Sequence, residues 1–322
     1  MHIVKLSTPP VVDTTRWGSF VRQTPGNNCV WGNYQFVLNQ DIDECDYWVV
    51  CDQIQKTETC MCPKENTIFV TEEPPQIGAD TKSFLTQFRT IVTCHTDIIR
   101  NSVGQNIYRT IQCPPWLINK TYDELKSMGV IDKPKTLSLI TSRKYKKRYH
   151  TALKLKEYFG ERLDLYGDGI NPIKDKWDAI APYKYTISME NFRVEDYISE
   201  KLFDCFLTHT YPFYWGCPNA HCYYPKESYT EINIDNIDEM IDTIERTINN
   251  QNHYMQSIPY LETSKYLTME TYNIFAMIIR CIKIFDLKST NEKSEITISD
   301  KNRYWKNKMM FFKKIKVICD NC

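Results

Sequence analysis

The 322-residue chain has no run of about 18 apolar residues, so no segment of it reads as a transmembrane helix. It is poor in glycine, with ten, and contains no G-x-G-x-x-G, which argues against a dinucleotide oxidoreductase. It carries no surplus of either charge: 40 Lys and Arg stand against 40 Asp and Glu. Holding a phosphate backbone draws on a basic excess, so nucleic acid is not an expected partner. The opening MHIVKLSTPP has no basic stretch leading into an apolar one, so no secretory leader is expected and a cytoplasmic placement is. No internal repeat of fixed period is present.

What the chain does have is material for a core: 42% hydrophobic residues, 21 Tyr, 14 Phe and 7 Trp. Its length suggests two domains. Thirteen cysteines without a leader read as reduced and mostly buried. Cys45, Cys51, Cys60 and Cys62 do not have the spacing of paired C-x-x-C ligands, so no metal site is expected. Short β-rich runs alternate with helical patterns. HIVKL, DYWVVCD, TIFVTEE and FRTIVTC read as strands of a first half. KTLSLITS, RLDLYG, YKYTISM and YPFYWG read as strands of a second. The expected fold is α/β, with two Rossmann-like domains facing across a cleft and ligands at the carboxyl ends of the strands. The expected domains are 1–130, 131–286, and a polar linker with a basic tail over 287–322. Within 301–317, Lys and Arg accompany Trp305, Met309 and Phe312, which can share one helical face. Such a segment can rest peripherally on an anionic membrane, or pack on the body as a terminal helix.

Two cations stand out. Arg148, Ala152, Leu155 and Phe159 recur at spacings of 4, 3 and 4, so Arg148 shares the apolar stripe of a helix near its N-terminal end. A guanidinium there needs an anion, either a structural carboxylate or a diphosphate. Downstream, Asp196 reads as the N-cap of a second helix. Tyr197, Lys201, Asp204 and Thr208 would form its polar face, and Ile198, Leu202, Cys205 and Phe206 its apolar face. Lys201 opposes the helix dipole there unless an anion is present; otherwise Glu200 and Lys201 are an exposed turn of charges.

The ordered segments Tyr183-Lys184-Tyr185, Met189-Glu190-Asn191, Asp196-Tyr197-Ile198-Ser199-Glu200-Lys201, His209 to Gly216 and Pro225 to Tyr229 resemble the donor-binding signature of family-10 glycosyltransferases, the α1,3/α1,4-fucosyltransferases. About 45 residues match closely, and the segment around Arg148 is similar to the family's R-Y-x-x-x-L pattern. The resemblance implies a GT-B architecture and an inverting transfer from GDP-β-L-fucose to a glycan hydroxyl. N-acetyllactosamine or a bacterial surface polysaccharide would be such an acceptor. It implies no obligatory metal or other cofactor. Arg148 and Lys201 would neutralise the diphosphate, Asn191 and Tyr197 would hold phosphates and fucose, and Glu200 would bind donor hydroxyls. Glu190 belongs to the same donor-binding set.

Inversion also needs a base for the acceptor hydroxyl. The resemblance places it at the end of IFVTEEPP: Glu73 if Thr71 aligns with the family threonine, with Glu72 as the fallback. Adjacent strand residues point to opposite faces, so one of the two can serve. Met189, Phe192 and Phe213 depart from the family pattern beside the sugar pocket, and WGCPN is closer to bacterial or viral members. The open alternatives are a different nucleotide sugar, or a non-catalytic nucleotide-sugar or glycan-binding protein.

Overall fold

The computed structural model describes residues 1–9, 19–54, 56–77, 82–102, 104–290 and 292–300. They separate into two compact units. The first is built from the described residues of 1–12, 29–112 and 278–322, and the second from those of 13–28 and 113–277. Residues 113–130, read from sequence with the first half, therefore belong to the second unit. There Trp116 and Ile118 are buried, and the Leu117 N–H bonds the Asp204 carboxylate. The basic segment 301–317 lies outside the described residues.

The first unit carries β1 (His2–Ser7), β2 (Val30–Trp31), β3 (Tyr34–Leu38), β4 (Tyr47–Cys51), β5 (Glu58–Pro63), β6 (Thr67–Val70), β7 (Thr90–Thr93) and β8 (Asn106–Arg109). Seven of these form one sheet in the order β2-β3-β1-β4-β6-β7-β8, parallel except for the β2–β3 pair. A parallel sheet is covered on both faces, which is why β4 and β6 are fully buried and, but for Thr67, apolar. Glu72 and Glu73 follow the carboxyl end of β6.

The second unit holds β9 (Lys135–Ile140), helix α1 (Lys146–Phe159), β10 (Leu163–Tyr166), the short α2 (Trp177–Ile180), β11 (Tyr183–Met189), α3 (Glu200–Leu207), β12 (Tyr211–Trp215) and β13 (Thr230–Glu231). Its five-stranded sheet runs β10-β9-β11-β12-β13, parallel throughout. The expected stripe of α1 is present: Arg148, Ala152, Leu155 and Phe159 are its buried side. Helices α4 (Ile237–Asn249) and α5 (His253–Tyr266) follow, and α6 (Ile274–Ile284) leads the chain back toward the first unit. No helix among the described residues is long and apolar enough to cross a membrane.

One expectation needs correction here. Part of the polar linker is a strand, β14 (Lys293–Ile298), antiparallel to β5 with Ile298 opposite Glu58. Its alternation places Ile296 and Ile298 against the core around Phe69, Phe84 and Phe88, while Glu295 is exposed. Polar alternate positions hid this strand, because only one of its faces is buried. The cysteines of the first unit are core residues. Cys45 and Cys60 lie 3.7 Å apart with Cys62 beside them, all free and buried. Burial pushes the Cys60 thiol up to about 12, so it is protonated.

If β14 belongs to the core, Ile298→Ala costs the first unit about 2–5 kcal/mol, whereas Glu295→Ala stays within about 0.5 kcal/mol of the parent. Urea unfolding of both variants tests this; equal, negligible effects would return the segment to linker status.

Candidate active site

A cavity of about 1320 Å³ opens within the second unit. Ligand pockets commonly span roughly 300–1,000 Å³, so it has room for a nucleotide-sized molecule. Its wall includes Ile140, Thr141 and Ser142 at the end of β9, Gly167 and Asp168 beyond β10, and Met189 and Asn191 at the end of β11. These are the carboxyl ends of parallel strands, where open α/β sheets bind ligands. Gly167, at φ +132°, allows β10 and β9 to close this end; a Cβ there would lie 1.6 Å from the Thr141 carbonyl oxygen.

Arg148 and Asn191 meet on this wall. The Arg148 Nη1 donates to Asn191 Oδ1 at 2.5 Å, and Asn191 Nδ2 donates to the Tyr145 hydroxyl at 3.1 Å. Arg148 Nε is buried with no partner in the described structure. Burial draws down its affinity for the proton, while the Glu190 and Glu200 charges oppose that. An incompletely bonded guanidinium lining a cavity is suited to an anion.

Glu190 anchors the floor without lining the cavity. It has no exposed surface. Its Oε1 accepts the Ser199 N–H at 2.8 Å, its Oε2 accepts the Ser199 hydroxyl at 2.6 Å, and Lys201 Nζ lies 3.4 Å from Oε2. Ser199 is the N-cap of α3 and accepts from the Lys201 N–H. The Lys201 ammonium also donates to the Ser199 hydroxyl at 2.9 Å and lies 3.4 Å from Glu200 Oε1. Gly216 makes room for this carboxylate, since a Cβ would lie 2.4 Å from Glu190 Cγ.

The sequence reading misplaced the start and polar face of α3. Asp196 is not its cap. It lies three residues earlier in a left-handed conformation, φ 60°, with Tyr197 after it and ahead of the helix. Tyr197 is buried and does not appear on the cavity wall. Asp204 and Thr208 are fully buried rather than solvated. Asp204 Oδ1 accepts the Leu117 N–H at 3.0 Å, and Lys176 Nζ lies 3.4 Å from Oδ2. Burial pushes the Asp204 carboxyl up to about 6 against the pull of Lys176.

Lys176 and Arg22 also line the cavity, and both escaped sequence reasoning. Neither shares a periodic stripe with the residues it meets. Arg22 Nη1 donates to Asn119 Oδ1 at 2.9 Å, so the Asn119-Lys120-Thr121 sequon supplies part of this wall. His95 is a bracing residue in the first unit, its Nε2 2.7 Å from the Glu73 carbonyl oxygen.

Asp196, in the same loop as Asn191, forms a reciprocal clamp with Asn219. The Asp196 N–H donates to Asn219 Oδ1 at 2.9 Å, and Asn219 Nδ2 donates to Asp196 Oδ1 at 2.6 Å. The Tyr223 hydroxyl donates to the same Oδ1 at 2.6 Å. Asn219→Asp sets two carboxylates face to face and costs about 2 kcal/mol, with weaker binding of a nucleoside diphosphate. The exchange Asp196→Asn with Asn219→Asp restores an amide–carboxylate pair, and asparagine accepts the left-handed backbone. Thermal unfolding and GDP titration of both variants test the clamp; no recovery in the exchange would refute it.

The donor-type constellation and the doubly wound sheets have counterparts among known proteins. The family profile described as glycosyltransferase family 10 (fucosyltransferase), C-terminal, matches residues 130–301, more than half of the chain. The alpha-(1,3)-fucosyltransferase FucT of Helicobacter pylori is 32% identical over 87 residues; that stretch is 27% of this chain and 18% of the relative. The chain thus spans under a fifth of that relative's length in the match. Among solved structures, an alpha1,3-fucosyltransferase with GDP-fucose aligns at a TM-score of 0.56 and 15% identity, over 90% of this chain and 92% of the other. The same enzyme type with GDP aligns at 0.56 and 16% identity over the same shares. These solved structures share the GT-B fold, and the profile carries the kinship: the chain belongs to glycosyltransferase family 10, the fucosyltransferases, and is a glycosyltransferase.

Proposed function

We propose that the protein transfers L-fucose from GDP-β-L-fucose to a hydroxyl of a glycan acceptor, with inversion at the anomeric carbon and without an obligatory metal. The observation that carries this reading is that Arg148, Asn191, Glu200 and Lys201 line one cavity at the carboxyl end of the second unit's sheet. Departure of GDP leaves negative charge on the diphosphate. Arg148 and Lys201 would stabilise that charge, the electrostatic task a metal performs elsewhere. Asn191 would hold a phosphate, and Glu200 would accept hydrogen bonds from donor hydroxyls. Tyr197, buried behind the loop, would support the fucose end of the site.

In this reaction the acceptor oxygen forms the bond to the anomeric carbon as the bond from that carbon to the phosphate oxygen breaks. The electron pair leaves with GDP, and the hydroxyl proton passes to a base. Glu73 is the proposed base. It is exposed, and its carbonyl oxygen is held by His95, whereas Glu72 is half-buried and raises the proton affinity of the buried Cys51 thiol. An ionised, accessible carboxylate is what abstraction of a hydroxyl proton needs.

Met189 favours a second reading, a different donor sugar. It lines the cavity at a position where the family pattern has an aromatic ring. Thermal shift with GDP-fucose, GDP-mannose and UDP-sugars separates the two, since a ligand at a hundred times its Kd stabilises by about 2.7 kcal/mol.

GDP release with GDP-fucose and a panel of glycan acceptors tests the main reading. Glu73→Gln is expected to lower kcat by about 100-fold or more, as loss of a general base does. Arg148→Ala should lower kcat/KM by a similar factor. Activity in excess EDTA should equal the untreated rate. Wild-type turnover unaffected by either substitution would refute the assigned roles, and loss of activity in EDTA restored by a divalent cation would refute metal independence.

A further inference from the structure

Lys176 precedes α2 and lines the same cavity as Lys201. Its Nζ donates to Glu200 Oε1 at 3.0 Å and to Asp204 Oδ2 at 3.4 Å. Glu200 and Asp204 stand four residues apart on α3, so their charges face each other across one turn. Glu200 Oε1 therefore has two ammonium groups, Lys176 at 3.0 Å and Lys201 at 3.4 Å. Lys201 in turn donates to the Ser199 hydroxyl at 2.9 Å and lies 3.4 Å from the carboxylates of both Glu190 and Glu200.

Turning to a diphosphate would draw the Lys201 ammonium away from Glu200. Were it the sole cation of Glu200, that move would leave a largely buried carboxylate uncompensated, which is strongly unfavourable. Resting on the donor-binding reading above, we propose that Lys176 is a positioning residue of the donor site: it holds Glu200 as a fixed carboxylate, so that Lys201 is released to the diphosphate. Glu200 stays in place to accept hydrogen bonds from the same ligand.

The surrounding charges agree with this division of labour. Burial would raise the proton affinity of Glu200, but Lys176 and then Lys201 hold it well below the ordinary carboxylate range. The groups that act on Glu200 are Lys176 before α2, Ser199, Lys201 and Asp204 on or capping α3, Glu190 through Lys201, and Arg148 of α1, which feels the Glu200 charge. Asp204 has its second oxygen on the Leu117 N–H, so it secures Lys176 from behind.

The test uses GDP-fucose, whose diphosphate does not change charge between pH 5.5 and 8, with the full-length protein. Lys176→Met should raise KM for GDP-fucose about tenfold and leave kcat within about threefold. Lowering the pH toward 5.5 should recover much of the lost affinity in this variant, because protonating Glu200 frees Lys201. The wild type should lack that recovery. Lys176→Arg should stay close to the wild type. Lys176→Met with Asp204→Asn relieves the like-charge pair, and should recover Tm without recovering KM. An unchanged KM in Lys176→Met overturns the proposal. So does a loss that shows no acid recovery and disappears with Tm in the double variant. Wild type that binds no GDP-fucose by calorimetry would refute the donor reading itself. Wild-type binding with an indifferent Lys176→Met would refute this inference alone.

Discussion

A carboxylate with no solvent has to be neutralised and hydrogen-bonded on both oxygens, and Glu190 is such a carboxylate in the second unit. Its two oxygens take the N–H and hydroxyl of Ser199, with the Lys201 ammonium nearby. Because Ser199 also caps α3, the same bonds fix where that helix begins. The direction of Glu200, Lys201 and Asp204 follows from that start. Gly216 is required by the same carboxylate, since any side chain there would collide with it.

From this anchor the charges alternate along the cavity. Lys201 leads to Glu200, Glu200 to Lys176, and Lys176 to Asp204, whose remaining oxygen ends on the Leu117 backbone. Arg148 approaches from α1 and meets Asn191, one residue past the anchor. A surface of this kind offers several cations to an anionic ligand while no carboxylate is left unpaired. Buried ion networks add little net stability, and their value is in holding geometry. That suits a site whose task is to receive a charged leaving group.

Much of this was legible along the chain. The α1 stripe declared itself because Arg148, Ala152, Leu155 and Phe159 repeat at the helical period, and the structure buries those four. The parallel strands were readable as short apolar runs, because both of their faces are covered. What misled was polarity. Asp204 and Thr208 look like a solvated face beyond Glu200, yet both are buried: Lys176 and Leu117 reach Asp204, and Lys133 reaches the Thr208 carbonyl, all from distant segments. Strand β14 looked like linker because half of its residues are polar, and its partner β5 is more than 200 residues earlier.

The sequence by itself determined the alternation of strands and helices, the inward cation on α1 and the ordered motif that marks the family. Each is set by local periodicity or by residues close together in the chain. Only the tertiary structure decided that Lys176 stands against Glu200, that Asp196 clamps Asn219 instead of capping a helix, and that residues 113–130 join the second unit. Those outcomes depend on which distant group satisfies a buried charge or backbone amide. A one-dimensional pattern shows that need at most; it does not name the group that meets it.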